Sequence, residues 1–242
     1  MFNRLSGKMS LTLHSLFIKY MFLLPKISIL LSVFNTPFPL VKRAIDSVLR
    51  QDLQDFELIF IDDGSLSSLA NEYAGYVQLF PEKIKYLCHP NCGQSESINR
   101  GIAISRGEYI TILDADDEFK PNHLSLCLAE MAIADLIASQ TETVVDDEAD
   151  YYVPDRHDNS KMIHVDDCIL FATLFGKRQV FSRYRFNSTY AADARFYEQA
   201  AMEYIVRKVD LRSYVYYRNI PGSICSLLKQ AKYKESMQAQ LS

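Results

Sequence analysis

Apolar side chains along this chain switch between two rhythms. Residues 27–34, ISILLSVF, form a continuous β-prone run broken only by Ser28 and Ser32, which is how a strand buried on both faces of a parallel sheet reads. Next, Leu40, Val41, Ala44, Ile45, Val48 and Leu49 recur at helical spacing, while Lys42, Arg43, Asp46 and Arg50 fall elsewhere. That pattern predicts an amphipathic helix, with Pro39 tolerated in its first turn. FELIFI, residues 56–61, is a second buried strand that ends abruptly in DDGS. Strand, helix and strand at this spacing form a βαβ unit, for which a right-handed crossover and a parallel pair are expected.

The alternation continues. A third strand is expected over Ile84 to His89, and a helix over Ser95 to Gly107 with Ser95 as N-cap and Gly107 as the glycine that ends it. EYITIL, residues 108–113, is a fourth strand running into Asp114, Asp116 and Asp117. PNHLSLCLAEMAIA reads as a helix from Pro121, and DLIASQTETVV as one further strand. From Asp146 to Ser160 the chain becomes acidic and loop-like, and the periodicity then weakens. SYVYYRNIPGSICS, residues 213–226, reads as a late strand and turn whose tyrosines suit a packed edge strand. No repeat or flexible linker interrupts the series, so one α/β domain with two unequal halves is expected.

Composition narrows the class. With 242 residues and 48% apolar side chains, the chain can build a substantial core, and a formal net charge of -4 argues against a protein that coats nucleic acid. The five cysteines are odd in number and scattered, which fits reduced thiols in a cytoplasmic protein better than a disulfide framework. CHPNC places Cys88, His89 and Cys92 at metal-like spacing, but no second cluster completes a tetrahedral set. Residues 1–24 are rich in apolar side chains, yet His14, Lys19 and Pro25 interrupt them short of the roughly 20 that a membrane span needs. Two readings of this N-terminal extension stay open: peripheral contact with the inner face of a membrane, or a frayed extension ahead of a start nearer Met21.

Two strands end in acid: the second at Asp62-Asp63, the fourth at Asp114-Ala115-Asp116-Asp117. In open α/β sheets, ligands bind at the carboxyl ends of the strands. Residues i and i+2 of extended backbone face the same side, so Asp114 and Asp116 are expected to point into one crevice. Their mutual repulsion is relieved by a hard divalent cation, Mg²⁺ or Mn²⁺, which prefers oxygen ligands and shares them with substrate phosphates.

The blocks ISILLSVFNT, AIDSVLRQDLQDFELIFIDDGS and NCGQSESINRGIAISRGEYITILDADDEFKPNHL, in this order and spacing, resemble family 2 glycosyltransferases of the GT-A fold over about residues 26–125. The resemblance implies a Rossmann-like, mostly parallel sheet flanked by helices in a single domain. It implies a nucleotide-sugar-binding half at 25–125, an acceptor half at 126–220 and a C-terminal tail at 221–242. The implied reaction moves a sugar from a nucleoside diphosphate sugar, with UDP favoured, to an acceptor hydroxyl of a saccharide or lipid-linked acceptor. It proceeds with inversion, needs Mn²⁺ or Mg²⁺, and belongs to polysaccharide or glycolipid synthesis. By resemblance, Ser32 and Phe34 line the nucleoside pocket, Asp63 contacts the base, and Asn91, Gly93 and Asn99 close over the donor. Asp114 and Asp116 form the D-x-D pair on ribose and metal.

The match thins in the second half. Many members carry a Glu-Asp pair in which the Asp is the base, and none occurs in residues 190–209; Asp193, Glu198 and Glu203 are the available acids. Asp193, set among small residues, is the expected catalytic base. The missing pair leaves a second reading open, a catalytically silent nucleotide-sugar-binding module.

Overall fold

The computed structural model describes residues 24–158, 160–187, 191–218 and 220. The expectations for the N-terminal extension and for the tail at 221–242 lie outside the described residues. A seven-stranded sheet forms the centre. Its first strand, β1 (Ile27–Val33), pairs in parallel with β2 (Phe56–Asp62) on one side and with β4 (Tyr109–Asp114) on the other, and β3 (Ile84–Cys88) extends it beyond β2. Past β4 come β10 (Leu174–Lys177), antiparallel, then β6 (Leu136–Ser139) and β11 (Val206–Val209), giving the order β11-β6-β10-β4-β1-β2-β3.

The unbroken apolar runs are explained by two cores, one on each face. In β1, Ile27, Ile29, Leu31 and Val33 enter one core, while Leu30 enters the other. The first face is covered by α1 (Phe38–Leu49) through Val41, Ala44, Ile45 and Val48, by α2 (Ser67–Val77) through Tyr73 and Val77, and by α4 (His123–Glu130) through Leu124 and Cys127. The second is covered by α3 (Gln94–Ile104) through Ile98 and Ile102, by α5 (Arg178–Arg183) through Val180 and Phe181, and by α6 (Ala192–Ala201) through Phe196 and Ala200. A strand apolar on both pleat faces can be satisfied only between two such layers.

Several expectations need correction. Ser95 caps nothing: α3 starts at Gln94 behind Gly93, whose φ is 87° and which makes no side-chain cap. Gly107 ends no helix either; α3 closes at Ser105, and the Gly107 N–H donates to Ser28 Oγ at 2.8 Å. DLIASQTETVV is two strands, not one. It leaves the main sheet after β6 and resumes as β7 (Glu142–Val144) in a second sheet with β5 (Glu118–Phe119) and β12 (Tyr214–Tyr217). In that sheet β12 lies in the middle rather than at an edge, antiparallel to β5 and parallel to β7. The stretch from Asp146 to Ser160 is not wholly loop, since it contains β8 (Tyr152–Pro154), which pairs with β9 (Met162–His164) as a hairpin.

Candidate active site

The two acidic strand ends flank the end of β1, where Val33 stands opposite Asp62 and Ser32 opposite Asp114. Ser32 is half-buried there, and Phe34, one residue past the strand, is exposed. The second sheet stands against the same edge through the turn that follows β4.

Asp114 is half-buried, and its Oδ1 accepts from Gln94 Nε2 at 2.8 Å, so the first residue of α3 reaches the first acid of the turn. The strand stops at Asp114, and the Asp117 N–H bonds the Asp114 carbonyl at 3.2 Å. Asp116 therefore comes near Asp114 through a turn, not through the i, i+2 alternation of an extended strand. Burial first, then the charges of Asp116 and Asp193, push the Asp114 carboxyl up to about 7, against the opposing pull of Gln94. Asp116 is also raised by burial, partly offset by its own backbone N–H and by Arg43. Arg43 hydrogen-bonds the Asp116 carbonyl and lies 3.8 Å from the Tyr217 ring centroid. The helical pattern had placed it on the solvent face.

Asp117 turns away from the crevice. It is fully buried, with Oδ2 accepting from the Tyr214 hydroxyl at 2.7 Å and Oδ1 from the Tyr217 N–H at 2.8 Å. Burial and the charges of Asp114 and Asp116 raise its carboxyl well above the usual range. Its task is to fasten β12 to the acidic turn.

Asp193 lies in the first turn of α6, after Ala191 in the left-handed region at φ 56°. Its Oδ1 accepts the Ala194 N–H at 2.8 Å and its Oδ2 the Phe171 N–H at 3.1 Å. Burial raises its carboxyl, while these N–H groups and Arg156 oppose the shift. The other two acids of that stretch are engaged elsewhere: Glu198 with Arg156, and Glu203 with Arg183 at 3.3 Å. Of the three, Asp193 alone is among the charges that raise Asp114.

On the other side of β1, Asp63 is 2% exposed. Its Oδ1 accepts the Cys92 N–H at 2.8 Å, and its Oδ2 accepts the Gly93 N–H at 2.9 Å and Asn91 Nδ2 at 3.1 Å. Asp63 thereby folds the turn that carries Asn91 and Gly93 onto the end of β2. Gly64, at φ 79°, lets that turn approach: a Cβ there would lie 2.7 Å from the Asn91 nitrogen. Asn91 and Gly93 remain exposed on the turn beside the strand ends. Asn99 does not join them. It is buried and clasps Phe186, donating to its carbonyl at 2.8 Å and accepting its N–H at 3.0 Å.

The oxygens of Asp114 and Asp116 fit a hard divalent cation, since two mutually repelling, partly buried carboxylates are what such an ion relieves. No helix among the described residues is long and apolar enough to cross a membrane.

The profile of glycosyl transferase family 2 matches residues 28–205. Among curated relatives, an uncharacterized glycosyltransferase of Nostoc, alr2836, is 36% identical over 46% of this chain and 34% of its own length. The putative colanic acid biosynthesis glycosyl transferase WcaA of Escherichia coli is 41% identical over 43% of this chain and 37% of its own. The chain thus spans about a third of the length of these relatives. Among solved structures, the mannosyltransferase PcManGT from Pyrobaculum calidifontis in complex with GDP-Man and Mn²⁺ superposes with a TM-score of 0.63 at 17% identity, over 84% of this chain and 59% of the other. TarS 1-349 of S. aureus in complex with UDP-GlcNAc gives 0.63 at 16% identity, over 83% and 60%. The sheet order, the acidic turn at its carboxyl edge and a profile match running through both halves agree: the chain belongs to glycosyl transferase family 2.

Proposed function

We propose that this protein transfers a sugar from a nucleoside diphosphate sugar, UDP-linked in preference, to an acceptor hydroxyl, with inversion. The observation that supports this reading is that Asp116, from the turn after β4, and Asp193, from α6, both act by their charge on Asp114 at the carboxyl end of β4. Residues 25–125 take the donor, with Ser32 and Phe34 at the nucleoside and Asn91 and Gly93 on the covering turn. Asp63 supports this pocket from beneath. Residues 126–220 take the acceptor, a saccharide or lipid-linked one.

Asp114 and Asp116 hold Mn²⁺ or Mg²⁺, which when bound supplies Lewis acidity toward the departing diphosphate. Gln94 fixes the Asp114 carboxylate and Arg43 fixes the Asp116 backbone, so both acids are held before the donor arrives. Asp193, steadied by two backbone N–H groups, takes the proton of the attacking hydroxyl; burial raises its basicity toward that task. Relatives named for colanic acid and succinoglycan biosynthesis support a place in polysaccharide assembly.

The test is incubation with Mn²⁺ and a panel of UDP-, GDP- and dTDP-sugars, following nucleoside diphosphate release and thermal protection. Release with a UDP-sugar supports the transfer reading. Protection without release across a broad acceptor panel supports a silent binding module, for which the missing Glu-Asp pair speaks. No response to any donor overturns both.

A further inference from the structure

The motif CHPNC finds a third partner in the fold. His89, just after β3, and Cys92, just before α3, close around Asp63 from the end of β2, and the three side chains offer nitrogen, sulfur and oxygen to one another. The edges of this triangle are 3.4 Å from His89 Nδ1 to Asp63 Oδ1, 3.5 Å from His89 Nδ1 to Cys92 Sγ, and 3.4 Å from Cys92 Sγ to Asp63 Oδ1. Tetrahedral zinc, bonded at about 2.3 Å to sulfur and about 2.0 Å to nitrogen or oxygen, spaces its ligands about 3.3–3.5 Å apart.

One further observation points to an ion. His89 is buried and turns Nδ1, the nitrogen 3.0 Å from the Pro90 carbonyl, toward Asp63 and Cys92. The Asp63 carboxylate is also braced from behind, by the Gly93 N–H and Asn91 Nδ2 on Oδ2, as outer-shell partners brace a metal-ligating carboxylate.

We propose that Asp63, His89 and Cys92 form a zinc site with three protein ligands and a fourth position open to water. On binding, the Cys92 thiol releases its proton to solvent, and the imidazole proton passes from Nδ1 to Nε2, turning both lone pairs to the ion. Thiolate and imidazole select zinc over the hard cations that suit Asp114 and Asp116, so the two sites do not compete for one metal. Zinc here locks the turn carrying Asn91 and Gly93 to the end of β2, a property that does not depend on the transfer reaction.

Co²⁺ titration of the metal-free protein, with no nucleotide present, tests the site. The expected result is one equivalent bound with a thiolate-to-cobalt charge-transfer band and tetrahedral d–d absorption, reversed by Zn²⁺ and unaffected by excess Mg²⁺. C92S and H89A should lose the band, while C88S, which alters the exposed thiol of the same motif, should keep it. Circular dichroism checks that each variant is folded; zinc protection of the Cys92 thiol from alkylation in the unmodified protein gives a readout that needs no variant. Absence of the band, its survival in C92S, or its loss in C88S overturns the proposal. Failure of every sugar donor would leave this result untouched, so the two readings fail separately.

Discussion

The Tyr214 hydroxyl sits between two acids of one turn, donating to Asp117 Oδ2 at 2.7 Å and accepting the Asp114 N–H at 3.2 Å. A residue 97 positions downstream thus fixes the turn that presents Asp114 and Asp116. Tyr214→Phe keeps the ring against Phe119 but leaves the buried Asp117 oxygen short of a donor and the Asp114 N–H short of an acceptor. The expected cost is about 1–3 kcal/mol in urea unfolding, because a buried polar group left unpaired loses its full solvation. Metal affinity should fall as well, read by Mn²⁺ titration against thermal shift.

Asp116→Asn and Asp193→Asn should separate binding from chemistry. Asp116→Asn is expected to abolish Mn²⁺-dependent protection by UDP together with turnover. Asp193→Asn is expected to keep that protection and lower kcat by about 10²–10⁴-fold, the usual share of a general base. Isothermal titration with UDP and Mn²⁺, paired with release assays, distinguishes the two. Near-normal turnover in Asp193→Asn would remove Asp193 from the base role.

Two groups, His123 and Glu57, should lose stability to acid in separate windows. His123 is buried between Phe119, Cys127 and Ser213, and burial lowers its pKa to about 3 from 6.5. Above pH 6.5 it is neutral in both folded and unfolded chains and contributes no slope. Between 6.5 and 3 the unfolded chain takes up a proton that the folded one refuses, so stability drops by up to about 1.4 kcal/mol per pH unit from this group. Glu57 adds to the loss lower down. Burial pushes its carboxyl up, but Lys85, the Ser28 hydroxyl and the Arg106 N–H outweigh burial and hold it below 4.5. Its stabilisation is present above 4.5 and disappears as pH falls through its lower folded value. Asp114 and Asp117, raised by burial, take up protons in the folded chain over the same range and oppose this loss, so the readout is a difference: from pH 7 to 5 the parent's stability in urea unfolding should fall relative to that of His123→Leu.

The four strands around β1 were legible because a strand covered on both faces can contain little but apolar side chains, and their acidic ends marked the ligand edge. What escaped were partners set by chain path rather than by period. Arg43 looks solvent-facing on a helical wheel, yet the turn after β4 passes over it. Asp63 and Asn99 occupy positions that the family resemblance assigns to the donor, and the backbone groups each one bonds, Cys92 and Gly93 for one and Phe186 for the other, are partners that pattern cannot locate. The helix α2 was not foreseen: Tyr73 and Val77 are its only buried residues, and polar neighbours dilute their spacing. The break within DLIASQTETVV, where one strand serves the main sheet and the next the small one, has no hydrophobic signature.

Gly107 supplies the last test, since its place in the fold differs from the helix end expected for it. It lies against β1, where an added Cβ would stand 2.4 Å from the Ser28 nitrogen and 2.7 Å from Ser28 Oγ. Ser28 cannot retreat, because its hydroxyl donates to the buried Glu57 carboxylate at 2.7 Å while accepting the Gly107 N–H. Gly107→Ala must therefore either push β4 away from β1 or break the bond between Ser28 and Glu57. Overpacking of this kind costs about 1–3 kcal/mol. If the clash is relieved through Ser28, Glu57 loses one of the partners that hold its carboxyl low, and the acid limb below pH 4.5 should flatten along with the overall loss in urea unfolding. A Gly107→Ala protein as stable as the parent would show that β1 and β4 can separate here without cost.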